Sequence, residues 1–443
     1  MEDLIFSHLK LAIALVLAVV PVAAQYSGPS VLSRGFGSTT GQRGGVDQGF
    51  NIYAGVSGAY ETGIVPPSVT SSGSITDYGA TTGVLANIGA YGHRNWKRTQ
   101  LHLDYFGNFR HYAENTYLDG IDNMLSLNVG RQISRRVQLF TSVAAGTTSR
   151  YYGAAPVYAL GFSAVPTAPI LDNRLYYLQN VTGIQYNPTL RWNFTLSGTG
   201  YISRYQSKAL VGVQGYGAMA NAEYRISRTR SVLLSYSFMH NDYQRLFGDS
   251  DAHVVMGGFV QQLSKRWALN ASGGAARTRA VGIEQIAADP ISVALFGSQV
   301  ISRAFDRTLI TPAFNVSLNG TYRRWGVSAA YMQMPNPGNG VYLTSNTGTA
   351  STRFSYTGIR RATFAVFGSY NFYESVGQSS LGKYTYWGGG ASSSYRLSRS
   401  FDAFVTFDLR SQQIHMNNGF KQTSDRVNFG INWHSSELPV TFW

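Results

Sequence analysis

The sequence contains no cysteine, few prolines and few charged residues. Among its 443 residues are 13 prolines, and charged residues make up 13%. The absence of cysteine excludes disulfide scaffolds, thiolate metal sites and thiol nucleophiles. No stretch reaches the ~20 consecutive apolar residues that a membrane-spanning helix needs. Aromatic residues make up 14% of the chain, which excludes a disordered protein over most of the length.

The N-terminus has the pattern of an export signal. Lys10 is followed by the apolar run 11–20, then by Pro21 and the small residues that end at Ala24. A run of this length followed by small residues predicts a signal peptide over 1–24, cleaved after Ala24. It is too short for a transmembrane anchor. The segment 25–47 is rich in Gly, Ser and Thr, which predicts a flexible periplasmic lead-in or a short plug.

Strict alternation of apolar and polar residues is the dominant pattern in the rest of the chain. It is clearest in the segments 101–111, 190–199, 314–322, 401–410 and 427–434. A period of two predicts β-strands with one apolar and one polar face. These segments are near the ~9–11 residues of a tilted strand that crosses a bilayer. Strands of soluble proteins usually have about five or six.

Short basic turns recur along the chain at a nearly constant interval. Their centres lie at 97, 135, 189, 228, 265, 324, 360 and 398, the one at 189 being a proline version. A unit of roughly 37 residues fits one hairpin with a tight turn and a longer loop. The count predicts 18 strands over 48–443, or 16 if 343–357 and 361–374 are not strands. The longest predicted loops are 152–174 and 280–305.

The placement of tryptophan and of loop length favours a barrel in a membrane. Four tryptophans, Trp96, Trp192, Trp267 and Trp325, lie in or within two residues of a basic turn. Aromatic residues at the membrane boundary, with short turns on one side and long loops on the other, are typical of transmembrane barrels. A soluble β-sandwich would leave long exposed edges, and a β-propeller needs four short strands per repeat. The predicted fold is therefore an all-β, transmembrane, antiparallel up-and-down β-barrel.

These features resemble those of bacterial outer-membrane β-barrel, porin-like proteins. The resemblance is architectural and includes an aromatic C-terminal tail over 440–443 that ends at Trp443. It implies location in the outer membrane and recognition of the final strand and Trp443 by the barrel-assembly machinery. The segment 435–439 interrupts the alternation. The last strand therefore either ends near His434 or continues through a bulge.

The basic residues and the missing motifs limit the partners. Many Lys and Arg residues gather at the tight turns, where one ring of positive charge can contact outer-membrane lipid phosphates. A nucleic-acid-binding protein would instead have its basic side chains along one groove, together with aromatic side chains that stack on bases. No metal-binding HExxH, nucleotide-binding GxGxxG or nucleophile-elbow GxSxG motif occurs, so we expect no cofactor, no metal and no enzymatic activity. The pair His102 and Asp104 is interpreted as lumen lining rather than half of a hydrolytic site.

The polar strand faces are predicted to line a water-filled lumen. The predicted lining residues are His102, Asp104, Asn108, Arg110, Arg191, Asn193, Thr195, Asn315, Asn319, Asp402, Thr406, Asp408 and Arg410. The apolar loop 152–174 is predicted to fold inward as a constriction, since an exposed apolar loop would be a liability. Its marker residues are Tyr158, Phe162, Asp172 and Arg174. The alternatives are a cap over the barrel mouth, a contact in a homo-oligomer, or a constriction formed by 280–305 instead.

The function predicted first is a passive channel for small hydrophilic solutes, because barrels of 16–18 strands leave an aqueous channel. One alternative is a transporter or export barrel for hydrophobic or polysaccharide substrates. Another is a non-conducting structural surface barrel.

Overall fold

The computed structural model describes residues 47–63, 79–113, 118–149, 174–244, 248–287, 300–338, 343–376, 383–415 and 421–435. Within these ranges the chain forms 18 strands. Their bounds are Asp47–Thr62 (β1), Thr81–Asn95 (β2), Thr99–Tyr112 (β3), Gly120–Gln132 (β4), Val137–Thr148 (β5), Leu175–Tyr186 (β6), Trp192–Tyr205 (β7), Val213–Arg225 (β8), Arg230–Tyr243 (β9), Gly248–Gln262 (β10), Trp267–Ala287 (β11), Val300–Thr321 (β12), Trp325–Asn336 (β13), Ser345–Tyr356 (β14), Ala362–Ser375 (β15), Lys383–Arg396 (β16), Phe401–His415 (β17) and Lys421–His434 (β18). In this part of the chain no helix is long and apolar enough to cross a membrane.

The strands close into one ring. Each strand pairs antiparallel with its neighbours in sequence, and β1 also pairs with β18, from Tyr53 opposite His434 to Thr62 opposite Asp425. The prediction of an 18-stranded antiparallel barrel is confirmed. The two strands that the sequence left in question are present as β14 and β15, and the final strand ends at His434.

The two ends of the barrel differ. Eight tight turns of three to five residues lie at one end, which we call the turn rim. Nine connections lie at the other end, the loop rim, and seven of them are longer than any tight turn. All eight predicted turn centres fall between the expected strands. Serine hydroxyls cap several turns: Ser134 Oγ accepts the Val137 N–H at 3.1 Å, and Ser264 Oγ accepts the Trp267 N–H at 3.2 Å. Such side-chain bonds to the backbone make serine a favoured turn residue.

The two faces of the wall carry opposite chemistry. Large apolar side chains are exposed on the outer face, with Val56 60%, Leu196 56% and Phe429 63% exposed. Polar side chains such as Ser126 and Asp408 alternate with them and are buried on the inner face. A water-soluble barrel would show the reverse arrangement, with its apolar face shielded in a core. The exterior is therefore suited to hydrocarbon.

One predicted loop is largely strand. The segment 280–305 was expected to be a long loop, but β11 continues to Ala287 and β12 begins at Val300, with Ala287 opposite Val300. Branched apolar residues such as Val281 and Ile301 favour strand pairing. The segment lacks a clean period of two, so sequence periodicity missed this strand pairing. The loop expected over 152–174 lies outside the described residues, except for Arg174.

Candidate functional site

The inner face holds most of the residues predicted to line the lumen. Five of them are shielded there by their neighbours: Asp104, Arg110, Thr406, Asp408 and Arg410. The others share the same face by strand alternation and are more open: His102, Asn108, Asn193, Thr195, Asn315, Asn319 and Asp402. The alternation therefore brings twelve predicted positions from β3, β7, β12 and β17 to one enclosed surface.

Arg191 differs from its prediction. It was assigned to the polar face of a strand beginning at 190, but it lies in the exposed turn before β7. Its Nη1 lies 3.5 Å from the Tyr224 hydroxyl. Tyr224 occupies an outer-face position in β8, so Arg191 belongs to the turn rim and not to the lumen wall. The preceding Pro188-containing turn is longer than the alternation suggested.

Charged residues occupy one side of the lumen. Where each strand pairs with both neighbours, so that β12 is counted from 314, the described inner-face positions carry equal numbers of arginines and carboxylates. They are Arg110, Arg225, Arg353, Arg396, Arg410 and Arg426 with Glu61, Asp104, Asp122, Glu223, Asp402 and Asp408. All but Glu223 and Arg225 lie on the arc formed by β14–β18 and β1–β4. We call this the charged arc. Over these positions the inner wall has no excess of either sign, and Arg303 and Arg307 add two positive charges on the same face of β12 nearer the loop rim.

Opposite charges on the charged arc lie on adjacent strands. Arg426 Nη2 lies 3.3 Å from Asp408 Oδ2, and Arg110 pairs with Asp122. At the turn rim, Asp402 has His434 Nε2 at 3.3 Å. Each pair is partly shielded, where charge interactions are stronger than in bulk water. Because Asp122, Asp402 and Asp408 each lie beside an arginine, the wall offers polar groups without a long run of charges of one sign.

Side-chain amides continue this polar surface around the barrel seam. A Cβ on Gly55 would collide with the amide oxygens of Asn432 and Asn87, so glycine here lets both side chains face the lumen closely. Asn428 Nδ2 donates to Thr406 Oγ1 at 3.0 Å. Asn432, 3% exposed, has no hydrogen-bond partner among the described residues. A buried amide of this kind is normally satisfied by water.

The wall opposite the charged arc, from β5 to β13, is nearly uncharged. Its inner positions carry mainly hydroxyl and amide groups, including Ser142, Asn193, Thr195, Ser197, Asn221, Ser235, Asn241, Ser272, Asn315 and Ser317. These groups can both donate and accept hydrogen bonds. They can therefore replace the water shell of a neutral polar solute.

An apolar cluster narrows the lumen near the loop rim. It contains Leu175, Tyr177, Tyr201, Tyr205, Leu210, Val213, Met239, Tyr243 and Ala252, with Val211 and Leu343 packed against it. The Tyr243 hydroxyl bonds to the Thr344 hydroxyl, which lies in the connection between β13 and β14. This contact ties two loop-rim segments that are four strands apart in the ring.

Sequence reasoning missed this cluster. Its tyrosines occupy polar-face positions of β6, β7 and β9, which marks them in retrospect as inward-facing. Tyrosine combines apolar area with a hydroxyl that finds a partner. The predicted constriction loop is not its source in the described structure. Tyr158, Phe162 and Asp172 lie outside the described residues, and Arg174 precedes β6, where its carbonyl accepts the Gln206 N–H at 2.8 Å.

The connection between β3 and β4 holds a titratable contact outside the strands. The carboxylate of Asp119 accepts the Tyr112 N–H at 2.8 Å and lies 2.8 Å from His111 Nδ1. The hydrogen bond with His111, followed by the backbone bond, lowers the pKa of Asp119 below its ordinary value. Asp119 therefore stays charged to lower pH than a free aspartate.

Aromatic and basic side chains form a girdle at the turn rim. The indole of Trp192 stacks on Phe194 with ring centroids 5.3 Å apart. The Arg266 guanidinium lies 4.8 Å from the Tyr322 ring centroid, and Trp267 Nε1 donates to the Tyr322 hydroxyl at 2.9 Å. Amphipathic rings next to cations suit a membrane–water interface. In the described part of the chain no three His, Asp or Glu side chains are grouped to hold a metal.

Comparison with known proteins gives weak structural similarity only. No family model and no curated protein matches the sequence. Pseudomonas aeruginosa OccK2 (OpdF) in complex with glucuronate has a TM-score of 0.44 at 10% identity, covering 88% of this chain and 99% of that chain. A BenF-like porin from Pseudomonas fluorescens Pf-5 has a TM-score of 0.42 at 10% identity, with coverage of 88% and 99%. Acinetobacter baumannii OccAB1 has a TM-score of 0.42 at 9% identity, with coverage of 88% and 97%.

Scores this low identify neither a solute nor a role. The strand pairing, the exposed apolar exterior and the polar interior of the chain itself define a closed 18-stranded antiparallel barrel. Its architecture is porin-like.

Proposed function

We propose that this protein is an outer-membrane channel for the passive diffusion of small hydrophilic solutes, without enzymatic activity. The single observation that carries the proposal is a closed wall that is apolar outside and polar inside. Strands about 4.8 Å apart and tilted by ~40° give 18 strands a backbone diameter of about 35 Å. That leaves room for an aqueous lumen after inner side chains are subtracted, narrowed by the tyrosine cluster at the loop rim.

The orientation follows from the rims. Bacterial barrels have short periplasmic turns and longer extracellular loops, so the turn rim is placed in the periplasm and the loop rim outside the cell. Cleavage of the signal near Ala24 would start the mature chain on the periplasmic side, consistent with β1 beginning at the turn rim. The basic turns then contact lipid phosphates, and the C-terminal segment ending at Trp443 is offered to the assembly machinery.

The balance of charge suggests the solute class. Neighbouring opposite charges on one side and hydroxyls and amides on the other give a lumen without a strong field. We infer that neutral polar molecules and small zwitterions pass, and that selectivity between cations and anions is weak. The width of the lumen at the loop-rim cluster limits the size of the solutes that pass.

Swelling of proteoliposomes in isosmotic sugars tests this proposal. We expect rapid swelling in a pentose, slower swelling in a disaccharide and almost none in a large oligosaccharide. Liposomes containing the same mass of heat-denatured protein serve as the control. Equal, negligible swelling in all sugars, with the barrel shown to be folded, would contradict a diffusion channel and support a closed structural barrel.

A further inference from the structure

One seam of the barrel wall is shorter than the others. The ladder between β12 and β13 has eight residue pairs, from Thr321 opposite Gly326 to Phe314 opposite Gln333. The other seven hairpins closed by tight turns have ladders of ten to fifteen pairs. Both strands continue beyond the last pair, so the shortening does not come from a strand end.

Two prolines explain why the ladder stops. Continuing the register by two residues would place Pro312 opposite Pro335. The Tyr322 N–H donates to the Trp325 carbonyl at 2.8 Å, and hydrogen-bonded pairs then alternate along an antiparallel ladder. In that alternation the two prolines fall on a hydrogen-bonded position. Neither has an N–H, so both bonds of that pair are missing.

Beyond this point each strand keeps a different partner. Residues 300–313 of β12 pair with β11 alone, and 334–336 of β13 pair with β14 alone. Proline in a sheet is confined to such edges. We call the boundary from Pro312 and Pro335 toward the loop rim the proline seam. No other pair of neighbouring strands loses its ladder with prolines in register in the described barrel.

The proline seam lies within the expected depth of the membrane. Eight residues at about 3.3 Å each, tilted by ~40°, reach only about 20 Å above the turn rim. The apolar band of such barrels is about 25 Å tall. The seam therefore starts inside the outer leaflet, given that the barrel spans the membrane with its turn rim in the periplasm.

Apolar side chains line the inner face of the proline seam, whereas on the outer face Arg277, the β11 partner of Ile310, is exposed just above Pro312. On the inner face, Met332 is the last residue of β13 within the ladder and Met334 is the first beyond it. Ala313 belongs to a buried cluster with Val254, Ala276 and the adjoining Met256. On the outer face Ile310 is 71% exposed. Methionine is flexible and adapts to apolar surfaces of different shape.

No backbone ladder closes the seam. Pro312 is exposed and Pro335 is buried, and neither has an N–H to donate across it. Packing without hydrogen bonds yields more easily than a paired ladder, because opening it leaves no additional backbone donor unsatisfied.

We propose that the proline seam is a lateral gate through which small apolar or amphipathic molecules pass between the lumen and the outer leaflet. This goes beyond the proposed diffusion of hydrophilic solutes along the barrel axis. It requires the barrel to lie in the membrane but does not require the axial route to be open. Opening needs only displacement of flexible side chains, whereas opening elsewhere would break a continuous ladder.

A disulfide across the seam tests the gate, because the native chain has no cysteine to interfere. The test variant carries Ala313→Cys and Met334→Cys, the first inner-face positions beyond the ladder. The matched control carries Thr321→Cys and Gly326→Cys, which are register partners within the intact ladder. Uptake of the apolar probe N-phenyl-1-naphthylamine by intact cells reports the lateral route. Hydrolysis of a small hydrophilic chromogenic β-lactam by a periplasmic β-lactamase reports the axial route.

We expect oxidation of the test variant to lower probe uptake several-fold, to the level of cells without the protein, and reductant to restore it. β-Lactam uptake should not change, and the control pair should leave both rates unaltered. Unchanged probe uptake with the cross-link complete on a gel would refute the gate. If cells with the unmodified protein took up the β-lactam no faster than cells without it, the axial channel would be refuted instead. The failure of the gate and the failure of the channel are therefore distinguishable.

Replacing the prolines provides a second test if the cysteine pair does not assemble. Pro312→Val with Pro335→Val restores two N–H donors and should extend the ladder, raise the unfolding temperature and protect the amides of 310–313 from exchange. Probe uptake should fall while β-lactam uptake stays constant. Unchanged probe uptake would contradict the proposal, whether or not the amides of 310–313 gain protection.

Discussion

Arginine substitutions at two adjacent positions of β7 would distinguish the two faces of the wall. Leu196 points outward and is 56% exposed, whereas its neighbour Thr195 points into the lumen and is partly shielded. Leu196 is four residues from Trp192 in the turn-rim girdle, or about 10 Å in height after tilt. In a band about 25 Å tall, this places Leu196 close to the bilayer midplane.

The expected costs differ because the two side chains meet different surroundings. An arginine facing lipid near the midplane of a barrel costs about 2–4 kcal/mol. At ~1.4 kcal/mol per decade this lowers the folding equilibrium constant of Leu196→Arg by roughly 30- to 1000-fold. Thr195→Arg reaches water in the lumen and avoids this cost. It adds a positive charge and bulk there, so it should reduce conductance and shift selectivity toward anions.

Reversible unfolding in lipid vesicles by denaturant measures both equilibria, with tryptophan fluorescence as the signal and the unmodified protein as reference. Leu196→Lys is a matched variant that should lose a similar amount of free energy. If Leu196→Arg and Thr195→Arg were equally stable, the outer face would not meet hydrocarbon. If Thr195→Arg folded but left conductance unchanged, that position would not line an aqueous path.

Three further predictions concern topology, constriction and charge. A cysteine at Arg228 should react only with a reagent that reaches the periplasm, whereas one at Lys208 should react with an impermeant reagent outside the cell; the opposite pattern would invert the barrel. If 154–168 is a constriction, its deletion should leave the barrel folded and raise single-channel conductance. Unchanged conductance would assign the narrowing to the tyrosine cluster, and loss of an oligomer would indicate a subunit contact. Arg426→Gln should shift the reversal potential in a salt gradient toward cations and Asp408→Asn toward anions, by similar amounts; no shift in either variant would remove this pair from the ion path.

The strand order was predictable because two independent signals agree along most of the chain. The period of two in 401–410 predicts both a strand and the face on which each side chain lies, since one face contacts lipid and the other lines the lumen. The basic turns then mark where the chain reverses. Even the weakly patterned segments around 345–356 and 362–375 could be inferred, because the hairpin interval left no other place for them.

Side-chain contacts between strands could not be predicted from the sequence. Arg426 and Asp408 form an ion pair only because the ladder places them opposite each other, and register is not visible in one sequence. The tie between Tyr243 and Thr344 joins segments 101 residues apart. Arg191 shows the reverse problem, since the strand begins two residues later than expected and Arg191 therefore lies in the turn and not in the wall.

The extension of β11 and β12 and the proline seam were missed for a related reason. The segment 280–283 carries no clear period because small and apolar residues occupy both faces, with Ala280 buried on the inner face and Ile283 exposed on the outer face. Pro312 and Pro335 are separated by a turn and appear unrelated in sequence. Only the register shows that both remove a donor from the same position of one ladder.

Planar-bilayer recording of the purified protein tests the central claim, an open aqueous path inside the barrel, most directly. We predict discrete steps that scale with the conductivity of the salt solution. We also predict a reversal potential near zero in a potassium chloride gradient, because the inner-wall charges below the loop rim are balanced. A folded, inserted protein that gives no conductance steps, or one that passes ions of a single sign, would contradict the claim.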